Sequence, residues 1–247
     1  MGKKRRKKNK VSAQGKPTVS ICTPTYNRRE FIPSIIKCYM AQTYPRKLME
    51  WIVIDDGTDP VGDLFEGVES VKYFYQEEKM KLGQKRNYMH EKATGDIIIY
   101  MDDDDFYPPD RVNHAVNKLR SRPDVLVAGS SQLYIYFKHI DKIWLFGPYG
   151  AFHATAGTFA FKRELLKHTR YDDDAKMSEE KVFLKNYSIP LVQLDPRKSI
   201  LVFAHDHNTF DKRRLLMTPH PKYARETKLR PSNFIKDKQL REFYKGQ

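Results

Sequence analysis

Cysteine is nearly missing from this chain, with Cys22 and Cys38 the only two among 247 residues. A disulfide scaffold is thereby excluded, and neither thiol has a partner at zinc-binding spacing, so both are expected in the core. Long hydrophobic runs are missing too: none approaches the roughly 18 residues that cross a bilayer. The start, Met1 to Lys10, has no apolar segment behind it, which speaks against a secretory signal, and Arg6 breaks the myristoylation pattern that Gly2 would open. A soluble cytoplasmic chain is expected, and there the sequon Asn186-Tyr-Ser188 carries no meaning. No Gly-x-Gly-x-x-Gly follows the first apolar run and no Gly-x4-Gly-Lys-Ser/Thr occurs, which disfavours a dinucleotide site or a P-loop. Acids are absent from the first 16 residues, which hold eight of the 45 Lys and Arg.

Apolar side chains are plentiful, at 40% hydrophobic and 13% aromatic residues, enough to bury a sizeable core and to exclude wholesale disorder. The formal net charge is +14. Residues 1–16 are dense enough in positive charge to repel themselves and are expected to form a disordered basic arm. Nucleic acid, an anionic membrane surface, nuclear targeting or plain solvation are the roles open to it.

Strand and helix signals alternate along the chain. Unbroken apolar or β-branched runs at Thr18–Thr23, Glu50–Asp55, Val71–Tyr75, Asp96–Met101 and Val125–Ala128 read as strands, the first of them covered on both faces. Between them, Phe31–Gln42, Gln84–Ala93 and a segment entered through Pro109 read as helices. This order predicts an α/β fold with a mainly parallel central sheet flanked by helices. Tyr- and Phe-rich runs at 132–137 and 142–146 predict a smaller mixed-sheet half. The expected divisions are an arm at 1–16, one domain at 17–210 split near 128, and a basic extension at 211–247, with one short helix near Phe234–Tyr244. In such sheets ligands bind beyond the carboxyl ends of the strands, and here those ends carry Thr23–Asn27, Asp55-Asp56-Gly57 and Asp102–Asp105.

Four consecutive carboxylates raise one another's pKa unless a cation lies among them. Extended alternation would send Asp102 and Asp104 to one side and Asp103 and Asp105 to the other. Oxygen-only ligands at an open rim favour Mg²⁺ or Mn²⁺. The competing reading is an acidic turn, with Asp105 or Asp110 capping the next helix.

Residues 17 to about 210 resemble the GT-A glycosyltransferases, specifically glycosyltransferase family 2. Val19–Arg28 is similar to the family's first strand and nucleotide loop, and Trp51–Thr58 to its second strand and base-binding acid. Gly83-Gln-Lys-Arg-Asn87 is similar to its Gly-x-x-x-Arg-Asn stretch, one residue short, and Ile99–Arg111 to its metal motif. The Lys- and Tyr-rich style is also similar to that of sugar transferases of large DNA viruses. The resemblance implies a metal-dependent sugar transfer from a nucleoside diphosphate, a UDP-sugar before dTDP or GDP, to a hydroxyl on a glycan or glycoprotein. It implies that Asp56 accepts the base N–H, that Pro24, Thr25 and Asn27 line the base and ribose pocket, and that Arg86 forks to phosphate or to an acid. Asp104 would be the principal metal ligand and catalytic acid of the motif, with Asp102 shared between metal and ribose and Asp103 beside the nucleotide.

The same resemblance places an acidic pair at the start of a helix after the acceptor strand. Here the pair is Glu179-Glu180; Glu180 matches the catalytic-base position and Glu179 is the alternative, while the same residues also make a good helix start. Inverting and retaining chemistry both stay open. His205 and His207, flanking an acid after the strand 199–203, are further candidates for the metal or the phosphates. Two other classes remain open at this point: a nucleic-acid-binding protein using the basic arm, and a nucleotidyltransferase on a similar sheet.

Overall fold

The computed structural model describes residues 15–175, 179–205, 208 and 210–246. The apolar run Val19–Thr25 forms β1, buried along almost its whole length. The chain then turns at Asn27, whose φ of 52° is in the left-handed region that Asn tolerates. It enters α1 (Ile32–Met40), which buries Ile32, Ile35, Cys38 and Tyr39 on one stripe. The elements that follow are β2 (Met49–Asp55), β3 (Val71–Tyr75), α2 (Leu82–Lys92), β4 (Ile97–Tyr100), α3 (Arg111–Ser121) and β5 (Val127–Gly129). The second part of the chain contributes β6 (Leu133–Phe137), β7 (Lys142–Phe146), β8 (Ala160–Lys162), α4 (Glu180–Phe183), β9 (Leu191–Gln193) and β10 (Leu201–Ala204). Last come β11 (Ala224–Glu226), α5 (Pro231–Phe234) and α6 (Lys238–Gly246).

Seven strands form the main sheet in the order β3-β2-β1-β4-β8-β5-β9. The pairs β3–β2, β2–β1, β1–β4 and β5–β9 are parallel, whereas β8 runs antiparallel to both β4 and β5. The α/β expectation therefore holds, with one reversed strand in the middle. A four-stranded mixed sheet, β10-β6-β7-β11, packs beside it.

Trp51 anchors the core between the sheet and α1. Its ring stacks on Tyr39 at 4.5 Å and meets Phe65 edge-on at 5.2 Å. Its indole N–H donates to Thr23 Oγ1 (2.8 Å), and that hydroxyl donates to the carbonyl of Met101 (2.6 Å). One hydroxyl thus ties β2 and β1 to the residue just before the acid run. Both cysteines are buried and free, and burial pushes the Cys38 thiol up to about 11, as expected of core thiols.

The segment after 210 is built into this fold. β11 pairs with β7, so the boundary expected at 210 falls within the second sheet. In α6, Tyr244 is buried, its ring stacked on Phe203 at 4.5 Å. Of the expected arm, residues 1–14 lie outside the described residues. Among the described residues no helix is long and apolar enough to cross a membrane.

Candidate active site

The four aspartates leave β4 in a turn instead of an extended segment. Six hydrogen bonds pin this turn. The Asp102 N–H donates to Tyr107 Oη (2.8 Å), and the Tyr107 hydroxyl donates to the Gly157 carbonyl (3.3 Å). Phe106 and Leu201 exchange backbone bonds of 3.1 and 2.9 Å, joining the turn to β10. Asp105 Oδ1 accepts from the Phe203 N–H (3.0 Å), and the Asp105 carbonyl accepts from the Tyr244 hydroxyl (2.8 Å). Gly157 matters because a Cβ there would lie 3.0 Å from Asp102 Oδ2.

Turning has a consequence for charge. All four aspartates line one cleft of about 550 Å³, Asp103 and Asp105 as buried residues of its wall. The expected alternation is corrected: Arg28 reaches consecutive acids, Asp103 at 4.0 Å and Asp104 at 3.6 Å. Burial and the neighbouring Asp104 push the Asp103 carboxyl well up, and its Oδ2 is buried with no hydrogen-bond partner among the described residues. Burial also works to raise Asp104, but His205, Lys212 and Arg28 outweigh it and hold that carboxyl below its ordinary range. Capping does not explain the run. Asp110 sits at the N-cap of α3 without a side-chain cap bond and pairs with Lys198 at 3.2 Å.

Pro24, Thr25 and Asn27 line the same cleft. Asn27 also closes the site locally, because its Oδ1 accepts from the backbone of Thr58 (2.8 Å) and Asp59 (3.4 Å). Asp56 differs from expectation. Its side chain is fully buried and outside the cleft lining; Oδ2 accepts from the Met80 N–H (2.6 Å) and Oδ1 from the Lys85 ammonium. The sequence contained Lys85 in plain view, but not its reach across to β2.

Arg86, on α2, lies with its guanidinium 4.4 Å from the Tyr100 ring centre and bridges two acids, Asp102 at 3.1 Å and Glu179 at 3.4 Å. α2 approaches this region closely enough that a Cβ on Gly83 would fall 1.8 Å from the Asp172 carbonyl, so only glycine fits. Glu179 is buried in its pair with Arg86, while Glu180 opens the short α4 and burial raises its pKa. Neither glutamate is part of the cleft lining. His205 Nε2 lies 3.2 Å from Asp104 Oδ2, with Asn208 Nδ2 3.3 Å from the same oxygen. His207 lies outside the described residues. Arg28, Tyr26, Lys85 and Lys212 line the cleft without having been singled out as site residues; the signal for Lys212 was the basic character of the segment after 211.

The description "Glycosyl transferase family 2" matches residues 20–170, more than half of the chain. The chain belongs to glycosyl transferase family 2. A glucosyl-dolichyl phosphate glucuronosyltransferase of Haloferax volcanii is 28% identical over 120 residues, which are 47% of this chain and 38% of the relative. Among solved structures, a mannosyltransferase from Pyrobaculum calidifontis in complex with GDP-Man and Mn²⁺ superposes with a TM-score of 0.63 at 18% identity, covering 79% of this chain and 59% of its own. TarS 1–349 of S. aureus in complex with UDP-GlcNAc gives 0.63 at 16% identity, covering 88% and 63%. At these identities the likeness is one of fold, and it is the expected GT-A architecture. The chain spans less than half the length of the curated relative and under two thirds of each solved chain.

For a family 2 chain the acid turn can be tested as a cation site on its own chemistry. Its donors are carboxylate oxygens, the hard ligands that Mg²⁺ and Mn²⁺ prefer. One of those oxygens, Asp103 Oδ2, is buried without a hydrogen bond among the described residues, the condition a cation would relieve. Among the described residues no three His, Cys, Asp or Glu form a ready cage. Carboxylate oxygens beside a cleft fit an open site better than a closed cage.

Proposed function

We propose that this chain moves a sugar from a nucleoside diphosphate, a UDP-sugar first among them, to a hydroxyl of a glycan or glycoprotein, with Mn²⁺ or Mg²⁺ as cofactor. The observation that carries this reading is the single turn that sets four aspartates in the wall of the cleft beside the β1 loop, one buried oxygen among them without a hydrogen bond among the described residues. The GDP-Man and UDP-GlcNAc held by the two similar structures support a nucleotide-sugar donor. Asp104 and Asp102 would hold a divalent ion, which would supply Lewis-acid neutralisation of the departing diphosphate. Arg28 and Lys212 add positive charge along the same wall, where each well-placed group can contribute a few kcal/mol to the transition state. Arg86 keeps Asp102 and Glu179 in register. With Glu179 committed to Arg86, Glu180 is the carboxylate left to take the acceptor proton, and its burial-raised pKa suits a general base.

Calorimetric titration of UDP, GDP, dTDP and their sugars, with and without Mn²⁺, tests the donor class. Binding of at least one that strengthens with the metal is expected; a chain that binds none overturns the reading. Glu180→Gln should retain donor affinity and lose transfer, and unchanged turnover would remove Glu180 from the base role.

A further inference from the structure

A second cavity, of about 370 Å³, lies across the segment 131–133: Ser131 lines it, whereas Leu133 lines the cleft that holds the four aspartates. Tyr149 and Tyr223 form part of its wall, their ring centres 5.4 Å apart, and Tyr149 is 43% exposed. Ring contacts continue on both sides. His153 lies 5.0 Å from Tyr149 and leads to Tyr187 at 4.8 Å, while His220 lies 5.0 Å from Tyr223. Three segments far apart in the sequence thus set their rings in one series. The backbone beneath them is fixed. Gln193, at the end of β9, accepts from the Ser131 N–H (2.9 Å) and donates to the carbonyls of Ala151 (2.9 Å) and His153 (3.0 Å). The Gly147 N–H donates to the Tyr223 carbonyl at 2.7 Å, which ties the third segment to the end of β7. Walls held in place before binding lower the cost of occupation.

Exposed aromatic surface beside a cavity marks a binding face. Its polar groups are the two tyrosine hydroxyls and the ammonium of Lys222, whose Nζ lies 5.1 Å from the Tyr223 ring centre. No carboxylate is among the described residues that line it. Flat ring faces with hydrogen-bonding groups at their edges match a pyranose, which presents C–H groups on its face and oxygens around its rim. A lipid chain would leave those edge groups unmatched. Taking the acceptor as a glycan, the reading on which this inference rests, we propose that this cavity holds a sugar of the acceptor chain remote from the hydroxyl that is modified. The acceptor is then an oligosaccharide, gripped at two places on either side of the segment 131–133, and a single sugar is a poor substitute for it. Tyr149 and Tyr223 carry the remote ring on their faces, and Lys222 donates to its oxygens.

The test uses the full chain and NMR titration with maltohexaose, cellohexaose, chitohexaose and an α-1,4-linked galacturonate hexamer, each beside its monosaccharide. At least one hexasaccharide should bind with a Kd of about 1 mM or tighter, and about tenfold more tightly than its monosaccharide, because the second contact is made within one molecule. Tyr149→Ala/Tyr223→Ala should weaken that hexasaccharide about tenfold. Tyr149→Phe keeps the ring face and should stay within about threefold of the wild type. Far-UV circular dichroism and the affinity for UDP with Mn²⁺ should be unchanged in both variants. Three results overturn the inference and leave the donor class standing: UDP bound with Mn²⁺ but no hexasaccharide bound, a hexasaccharide bound no better than its monosaccharide, or a hexasaccharide whose affinity the double variant does not change. A chain whose hexasaccharide affinity depends on Tyr149 and Tyr223 but which binds no nucleotide supports the sugar site and overturns the donor reading alone.

Discussion

Two acid clusters end two parallel strands of the same sheet, and they are treated in opposite ways. After β2, Asp55 is saturated: Oδ1 accepts from the Gly57 N–H (2.9 Å), and Oδ2 from the Val61 N–H (2.9 Å) and the Tyr73 hydroxyl (2.5 Å). Asp56 beside it is sealed by Met80 and Lys85. After β4, four acids line a cleft, and one buried oxygen, Asp103 Oδ2, makes no hydrogen bond among the described residues. A carboxylate surrounded by N–H donors is a structural pin, because its charge is already matched. Four consecutive carboxylates that share a few cationic partners (Arg86 on Asp102, Arg28 on Asp103 and Asp104, His205 on Asp104) beside a cleft keep an acidic surplus that a further cation can balance. The difference lies in what surrounds the acids, and both clusters look alike as strings of letters.

The largest effect expected from this contrast is on Asp104. Asp104→Ala should lower transfer about 10²- to 10³-fold, the cost of removing one well-placed electrostatic group, with far-UV circular dichroism unchanged. Retained activity would reduce the β4 cluster to the structural status of Asp55. Asp55→Asn should do the reverse. It turns an amide NH₂ against existing donors and should cost about 2 kcal/mol of stability, read as a lower Tm, with turnover per folded molecule preserved.

Asp103→Asn sharpens the same contrast in the opposite direction. A carboxyl whose folded pKa is raised binds its proton more tightly in the folded state, so its ionisation destabilises the fold as pH climbs above the ordinary carboxylate range. The metal-free variant should therefore gain about 1 kcal/mol near neutral pH. The gain should vanish below about pH 4, where the group is protonated in both states, and metal-dependent nucleotide affinity should fall. Parallel melts of variant and wild type across pH test the sign; a gain that grows on acidification would contradict it. Tyr244→Phe should have the smallest effect. It removes one hydrogen bond to the Asp105 carbonyl, worth about 1 kcal/mol, and chemical denaturation of the two chains measures it.

Much of the first half was legible because its signals are local. β1, β2 and β4 follow from short apolar runs that only a doubly covered sheet can bury, β3 from a Tyr- and Phe-rich run at the sheet edge, and α1 and α3 from their apolar stripes. The acid run, Arg86 and the Glu179–Glu180 pair could be named from their positions in motifs. The second half was less readable. β8, β9 and β11 have three residues each, too short to show a period, and the direction of β8 depends on which strands it joins. Lys85 was visible as a residue, but a lysine on a helix gives no hint that it will cross to Asp56. Lys212 and Tyr244 lie far along the chain and reach the acid turn only because β11 and α6 fold back onto it.

Composition and periodicity alone determined an α/β chain with a buried parallel sheet and acids at its carboxyl rim, because apolar runs and their spacing dictate which faces must leave water. Which of those acids are matched by donors and which are left facing a cleft was decided only in three dimensions. Charge compensation depends on distances of a few ångströms between residues that may stand anywhere in the chain, and a linear order does not encode those distances.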